Sequence, residues 1–206
     1  MTRLEAAALD CERGGRRLFR SLSFSLDGGE LLRIAGANGS GKTSLLRILC
    51  GLLLPHGGEV RWQGGDIKGL REEYSKQLVF VGHASALKDE LTAAENLAVT
   101  CTLAGLRANE EKVRGALQVF GLGGQDDLVK KLSQGQRRRA QLARLALSES
   151  IPLWLLDEPF AALDAAAARL VEELIGQHVA RGSIVVYTTH QETRMEGARV
   201  LDLGAA

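Results

Sequence analysis

The segment Gly36-Ala37-Asn38-Gly39-Ser40-Gly41-Lys42-Thr43 places three glycines, an ammonium and a hydroxyl in the spacing G-x-x-x-x-G-K-[ST]. Glycines let a backbone curl until successive N–H groups converge on a phosphate. A helix starting near Thr43, with Ser44 in its first turn, would add its positive end to the same site. Lys42 is the residue to reach the β- and γ-phosphates of a nucleoside triphosphate, and the Thr43 hydroxyl is suited to Mg²⁺.

Downstream, the apolar run Leu153–Leu156 delivers Asp157 and Glu158 to its end. Neighbouring residues on a strand point to opposite faces, so these carboxylates cannot chelate one ion side by side. Separate roles follow: Asp157 toward the metal, Glu158 as general base for an attacking water. Between the two motifs lies Leu132-Ser133-Gln134-Gly135-Gln136. A serine hydroxyl, a glycine N–H and a helix N-terminus make a second anion site there. Arg137, Arg138 and Arg139 follow in the first turn, where the helix dipole disfavours cations. Their simplest reading is a solvated helix face.

The elements that must carry these residues are readable in outline. Leu4–Leu9, Leu22–Leu26 and Leu31–Ala35 have strand patterning, with a turn at Asp27-Gly28-Gly29. Thr43–Gly51 has helical spacing of Leu45, Leu46, Ile48 and Leu49. Glu59–Gln63 and Gln77–Val81 predict further strands. Helix formers dominate from Thr92 to Leu147, with breaks at Gly105, Gly121 and Gly123-Gly124 that predict three or four helices. Ile151–Leu156 and Ser183–Thr189 are continuous apolar runs, as expected of parallel strands buried on both faces. A helix at Ala165–Arg181 between them completes a βαβ unit.

Composition bounds the rest. The 206 residues, 45% hydrophobic and 25% charged, suit one domain with a full core. A net charge of +1 gives no general attraction to nucleic acid or anionic membrane. Cys11, Cys50 and Cys101 are far apart and lack metal-ligand spacing, which predicts ordinary thiols in a reducing compartment. No apolar stretch reads as a signal or a membrane span, so attachment to a membrane would need a partner.

In this order, the phosphate loop, the pentapeptide and the Asp-Glu strand resemble the ATP-binding-cassette ATPases over nearly the whole chain. The resemblance implies an α/β fold: a P-loop NTPase core with a mostly parallel sheet, an N-terminal antiparallel β subdomain and an inserted helical subdomain. On that pattern, residues 1–206 form one ATPase domain, with 1–82 and 141–206 catalytic and 83–140 helical. It further implies ATP and Mg²⁺ as cofactors and a head-to-tail homodimer. In that dimer Ser133, Gly135 and Gln136 of one copy close on the γ-phosphate held by the other. Ala161-Ala162-Leu163-Asp164 resembles the family's D-loop, and His190 its switch histidine, which would contact the γ-phosphate and form a base-and-orienter pair with Glu158.

Two positions depart from the family pattern. His83 stands where a glutamine senses the attacking water, and an imidazole changes charge near neutral pH. The adenine platform lacks an upstream aromatic in residues 11–17, leaving an arginine such as Arg13 to stack on the base.

His83, Gln134 and the run Glu90–Leu97 resemble the ATP-binding subunits of the cytochrome c maturation system, long called haem exporter ATPases. That implies membrane-spanning partners at the cytoplasmic face of the inner membrane. With no C-x-x-C-H and no Cys/His cluster, direct haem binding is not expected. A subunit of another small importer or exporter would share every catalytic motif, and a soluble non-transport cassette ATPase is the alternative of a different class.

Overall fold

Alternating buried and exposed residues start the chain as a long hairpin. The computed structural model describes residues 2–124, 126–189 and 195–204. Strand β1 (Arg3–Arg13) pairs antiparallel with β2 (Arg16–Asp27) and with β4 (Gly57–Trp62), and β4 pairs with β5 (Gly65–Asp66). Both hairpin strands run further than their sequence patterns suggested. A bulge at Ala8, with φ 47°, shifts the register between Ala6 and Leu9. Leu9 and Cys11 are therefore as buried as Leu4 and Ala6, although strict alternation would turn them outward.

The second sheet has the order β6-β7-β8-β3-β9. It comprises β3 (Leu31–Ala35), β6 (Leu78–Val81), β7 (Leu153–Leu156), β8 (Ile184–Thr188) and β9 (Arg199–Asp202). Strand β3 is parallel to β8 and β9, and β7 is parallel to β8. Every residue of β7 and β8 is buried, which explains why both read as unbroken apolar runs. Helix α1 (Lys42–Leu49) packs Leu45, Leu46, Ile48 and Leu49 into one core with Leu153, Leu155, Ile184 and Val186. Gly51 follows with φ 76°, a left-handed stop. Helix α2 (Ile67–Ser75), unanticipated from sequence, anchors by Ile67 and Tyr74, whose hydroxyl donates to the Leu49 carbonyl at 2.6 Å.

By its contacts the chain forms two units. The first holds both sheets, within residues up to Phe80, Ile151–Glu158 and from Gln177 onward. The second, Val81–Ser150 and Pro159–Gly176, is helical: α3 (Ala93–Leu103), α4 (Glu110–Val119), α5 (Gln134–Leu142) and most of α6 (Ala165–Ala180). Its core includes Leu97, Cys101, Val113, Leu117, Phe120 and Leu145. Glycines 105 and 121, at φ 71° and 68°, end α3 and α4 at the predicted breaks. Cys11 and Cys101 are buried and Cys50 is half-buried, all three free.

One buried titratable group lies behind the sheet. His178, 1% exposed, stacks on Trp154 of β7 with ring centroids 3.7 Å apart and planes 11° from parallel. Burial pushes its pKa down to about 4 from 6.5, with the backbone of Ile151 opposing and Arg181 assisting. The unfolded chain binds this proton more tightly, so the contribution is full above about pH 6.5 and is lost as pH falls toward 4. Urea unfolding of wild type is expected to lose on the order of 2 kcal/mol from this source between those limits. His178→Phe, which keeps a stacked ring, is expected to flatten that part of the pH dependence. Parallel stability–pH curves for the two proteins would contradict the assignment.

Candidate functional site

The phosphate loop connects β3 to α1. Gly41, the N-cap of α1, sits at φ 105°, and a Cβ there would lie 3.1 Å from the Leu18 Cβ. Only glycine combines that backbone with that packing. Helices α2, α3, α4 and α5 are capped by the side chains of Asp66, Thr92, Asn109 and Ser133, whereas α1 has no side-chain cap. The first-turn N–H groups of Lys42, Thr43 and Ser44 therefore lack intrahelical acceptors and favour an anion. Ser40 Oγ is buried in the loop without a hydrogen-bond partner. Ala37, Asn38 and Gly39 form its exposed rim, and Gly36 opens it at φ 136°.

Lys42 is only 6% exposed, and its Nζ donates to the carbonyls of Gly36 at 2.8 Å and Ala37 at 3.0 Å. Burial lowers its pKa, opposed by the charges of Glu158 and Asp157. The side chain is thus an ammonium on a short tether among carbonyls and carboxylates.

Strand β7 ends at Leu156, and Asp157 and Glu158 follow, 1% and 9% exposed. The Thr43 hydroxyl donates to Asp157 Oδ2 at 2.9 Å. The group on the other side belongs to no sequence motif: Thr188 Oγ1 donates to Asp157 Oδ1 at 2.7 Å and accepts from the Glu158 N–H at 2.9 Å. Glu158 itself has φ 51°, a left-handed backbone uncommon outside glycine. The legible signal for Thr188 was a hydroxyl in an otherwise aliphatic and aromatic strand, where burial demands a partner.

Thr43 and Asp157 are hard oxygen donors already within hydrogen-bond distance. Among the described residues no cluster of three or more His, Cys, Asp or Glu could hold a metal. Few protein ligands suit Mg²⁺, which keeps waters and substrate phosphates around it.

In the helical unit, the pentapeptide forms a reciprocal cap. Ser133 Oγ accepts from the Gln136 N–H at 3.2 Å, and Gln136 Oε1 accepts from the Ser133 N–H at 2.8 Å. The spacing Ser-x-x-Gln is a sequence signal for this capping box. Ser133 keeps its hydroxyl hydrogen for donation, and Ser133 and Gln134 are exposed. A Cβ on Gly135 would sit 3.2 Å from the Ala162 carbonyl oxygen, so the small residue lets the backbone at Ala162 approach α5. Asp164 Oδ1 accepts from the Ala167 N–H at 2.8 Å and caps α6.

The three arginines are not a solvated face, which corrects the sequence reading. Arg137 pairs with Asp89 at 2.7 Å. Arg138, 7% exposed, donates to the Gly82 carbonyl at 3.0 Å and Gln141 Oε1 at 2.7 Å, and Arg139 donates to the Phe120 carbonyl at 3.3 Å. Carbonyls and a carboxylate at these positions offset the unfavourable dipole. Periodicity could not reveal Asp89, Gly82 and Phe120 as partners, because all three lie outside α5; only Gln141 shares the helix.

His83 is exposed in the loop after β6, and Gln141 Nε2 donates to the carbonyls flanking it, Gly82 and Ala84, both at 3.2 Å. Arg13 is exposed at the end of β1, opposite Arg16 across the Gly14-Gly15 turn. Phe19 is 2% exposed with its ring toward Gly41, so it is occupied in the core. His190 lies outside the described residues.

The sequence profile of the family described as ABC transporter matches residues 19–161. The chain is 48% identical over 201 residues to the "Cytochrome c biogenesis ATP-binding export protein CcmA" of Nitrosospira multiformis, covering 97% of each. The protein of the same name from Dechloromonas aromatica is 49% identical over 201 residues, covering 97% of this chain and 98% of that one. Haemophilus influenzae has another at 43%, covering 98% and 96%. Among solved structures, the ATP-binding subunit of an ABC transporter superposes with a TM-score of 0.83 at 25% identity, over 98% of this chain and 86% of that one. A dimeric, post-hydrolysis ATP-binding cassette, MJ0796, bound to ADP and Pi, superposes with a TM-score of 0.78 at 25% identity, over 91% and 88%.

Proposed function

Because this chain belongs to the ABC transporter family, matched by its profile over residues 19–161, we propose that it drives an export complex of cytochrome c biogenesis. The chain is an ATPase subunit. The observation that carries the site reading is the Asp157 carboxylate, held beside the phosphate loop by the Thr43 hydroxyl.

On this reading the first-turn N–H groups of α1 and the glycines of the loop bind the β- and γ-phosphates of ATP. Lys42 turns from the Gly36 and Ala37 carbonyls to the phosphate oxygens, exchanging neutral acceptors for charged ones. Thr43 and Asp157 would hold Mg²⁺, which when bound would neutralise negative charge on the phosphates. Glu158 accepts a proton from the water whose oxygen attacks the γ-phosphorus. The bond to the β,γ-bridging oxygen breaks, and ADP carries the leaving electron pair. Arg13 is the group proposed to stack on adenine, and His83 and His190 to contact the water and the γ-phosphate.

The exposed N-terminus of α5, with Ser133 and Gly135, supplies the remaining donors in a second copy of the chain. A two-fold pair of this kind has two equivalent sites, each made from one phosphate loop and one signature. The relatives' name, ATP-binding export protein, supports membrane-spanning partners and a place at the cytoplasmic face of the inner membrane, with haem handled by those partners. No helix among the described residues is long and apolar enough to cross a membrane, so the partners would supply the spans.

The test is affinity capture of the tagged chain from detergent-solubilised membranes, read by mass spectrometry. Membrane proteins of cytochrome c maturation are the expected companions. Capture of a different transporter's membrane subunits in their place would reject the cytochrome c assignment.

A further inference from the structure

We infer that Thr188 is a positioning residue that locks the metal-facing and base-bearing residues of the site into one arrangement. The proposal rests on the reading of Asp157 and Glu158 given above. Positions 184, 186 and 188 share one face of β8, and Ile184 and Val186 pack there into the apolar core with α1. Valine would continue that pattern with the same shape. The sequence instead places a hydroxyl at 0% exposure, where an unpartnered polar group is costly.

Both capacities of that hydroxyl are used within the site. Its hydrogen goes to Asp157 Oδ1 and its oxygen accepts the Glu158 N–H. With Thr43 on Oδ2, the Asp157 carboxylate is gripped at both oxygens, from the phosphate-loop helix on one side and from β8 on the other. Its orientation is therefore fixed before substrate arrives. The second bond acts on the backbone. Glu158 stands at φ 51°, a conformation that persists only where surrounding structure over-determines it. The Thr188 oxygen supplies part of that constraint by holding the Glu158 N–H, and so aims the side chain of the base. One hydroxyl thus couples the carboxylate that holds the metal to the carboxylate that activates water.

Thr188→Val removes the hydroxyl and keeps the shape, and Thr188→Ser keeps the hydroxyl. In Thr188→Val, kcat is expected to fall about 10- to 100-fold, the scale of a lost hydrogen bond to a charged group, and KM for ATP in Mg²⁺ to rise only by the factor that the Mg²⁺ gain loses. A second readout needs no turnover: titration with N-methylanthraniloyl-ATP in EDTA and in Mg²⁺. Affinity in EDTA is expected to match wild type, because the phosphate loop is intact, while the gain in affinity on adding Mg²⁺ shrinks. Thr188→Ser is expected to restore both quantities to within about threefold, since its hydroxyl makes the same two bonds.

Wild-type kcat and a wild-type Mg²⁺ gain in Thr188→Val would overturn the proposal, as would equal impairment of the valine and serine variants. Loss of nucleotide binding in EDTA by Thr188→Val would also overturn it, since that marks a general packing role. Glu158→Gln assayed alongside separates the two levels. Normal turnover in Glu158→Gln rejects the reading of the base, whereas a dead Glu158→Gln beside a wild-type Thr188→Val rejects the role of Thr188 alone.

Discussion

Glu158→Gln is expected to bind ATP with near wild-type affinity and to hydrolyse it about 10²–10⁴-fold more slowly. The two halves of that result have separate physical sources. Binding comes from the uncapped first turn of α1, the loop N–H groups and Lys42, all of which stay in place; the substitution removes only the Glu158 charge that acts on Lys42, and Asp157 remains. Hydrolysis needs a proton acceptor, and an amide is a far weaker base than a carboxylate of the same size. The backbone bond from the Glu158 N–H to Thr188 survives the change, so the side chain stays aimed. Steady-state phosphate release, read beside an equilibrium nucleotide titration, checks both halves. Turnover within a few-fold of wild type would remove Glu158 from the reaction.

Gly135→Asp is expected to abolish ATPase activity, by about 10²–10³-fold, while leaving nucleotide binding by the single chain intact. The substitution places a carboxylate in the first turn of α5, where a γ-phosphate from the other copy would dock, so repulsion replaces dipole attraction. It also adds a Cβ 3.2 Å from the Ala162 carbonyl, which disturbs the packing of the D-loop. Gly135→Asn makes nearly the same steric demand without the charge and separates the two effects. A much milder loss in the asparagine variant identifies electrostatics as the main cause. Nucleotide titration of Gly135→Asp with wild-type affinity, beside absent turnover, is the signature of a defect supplied in trans.

Much of this site was legible because its motifs combine rare residues at fixed spacing. The eight-residue phosphate loop, the Asp-Glu pair and the pentapeptide each constrain backbone and side chain together. Strands β7 and β8 were legible as well, since burial on both faces leaves an unbroken apolar run. Helix α2 was not: its backbone breaks at Arg71, with φ 35°, and only Ile67 and Tyr74 are buried, so no apolar stripe marks it. Strand β9 escaped for a related reason, with no fully buried residue among its four.

The remaining misses concern partners that lie distant in sequence. Arg138 looked solvated in a basic triplet, yet it reaches Gly82, 56 residues away. Thr188 falls inside a run that reads only as apolar, yet it bridges Asp157 and Glu158 from the neighbouring strand. Periodicity reports which face a residue occupies, and a polar group on a buried face then needs a partner that only the fold reveals. The Ala8 bulge is the converse case, where one residue of irregular backbone reset a pattern that was otherwise correct.

On the proposed function, each ATP site takes its phosphate loop from one copy and its signature from another. Mixing two inactive variants, Lys42→Ala and Gly135→Asp, tests it most directly. In a mixed pair, the intact loop of the Gly135→Asp chain faces the intact signature of the Lys42→Ala chain. Random pairing makes about half of the dimers mixed, each with one complete site of two, so recovered activity is expected near a quarter of wild type. Phosphate release should peak at equimolar mixing and vanish toward either pure variant. Activity no greater than that of the parents at every mixing ratio would contradict the composite site.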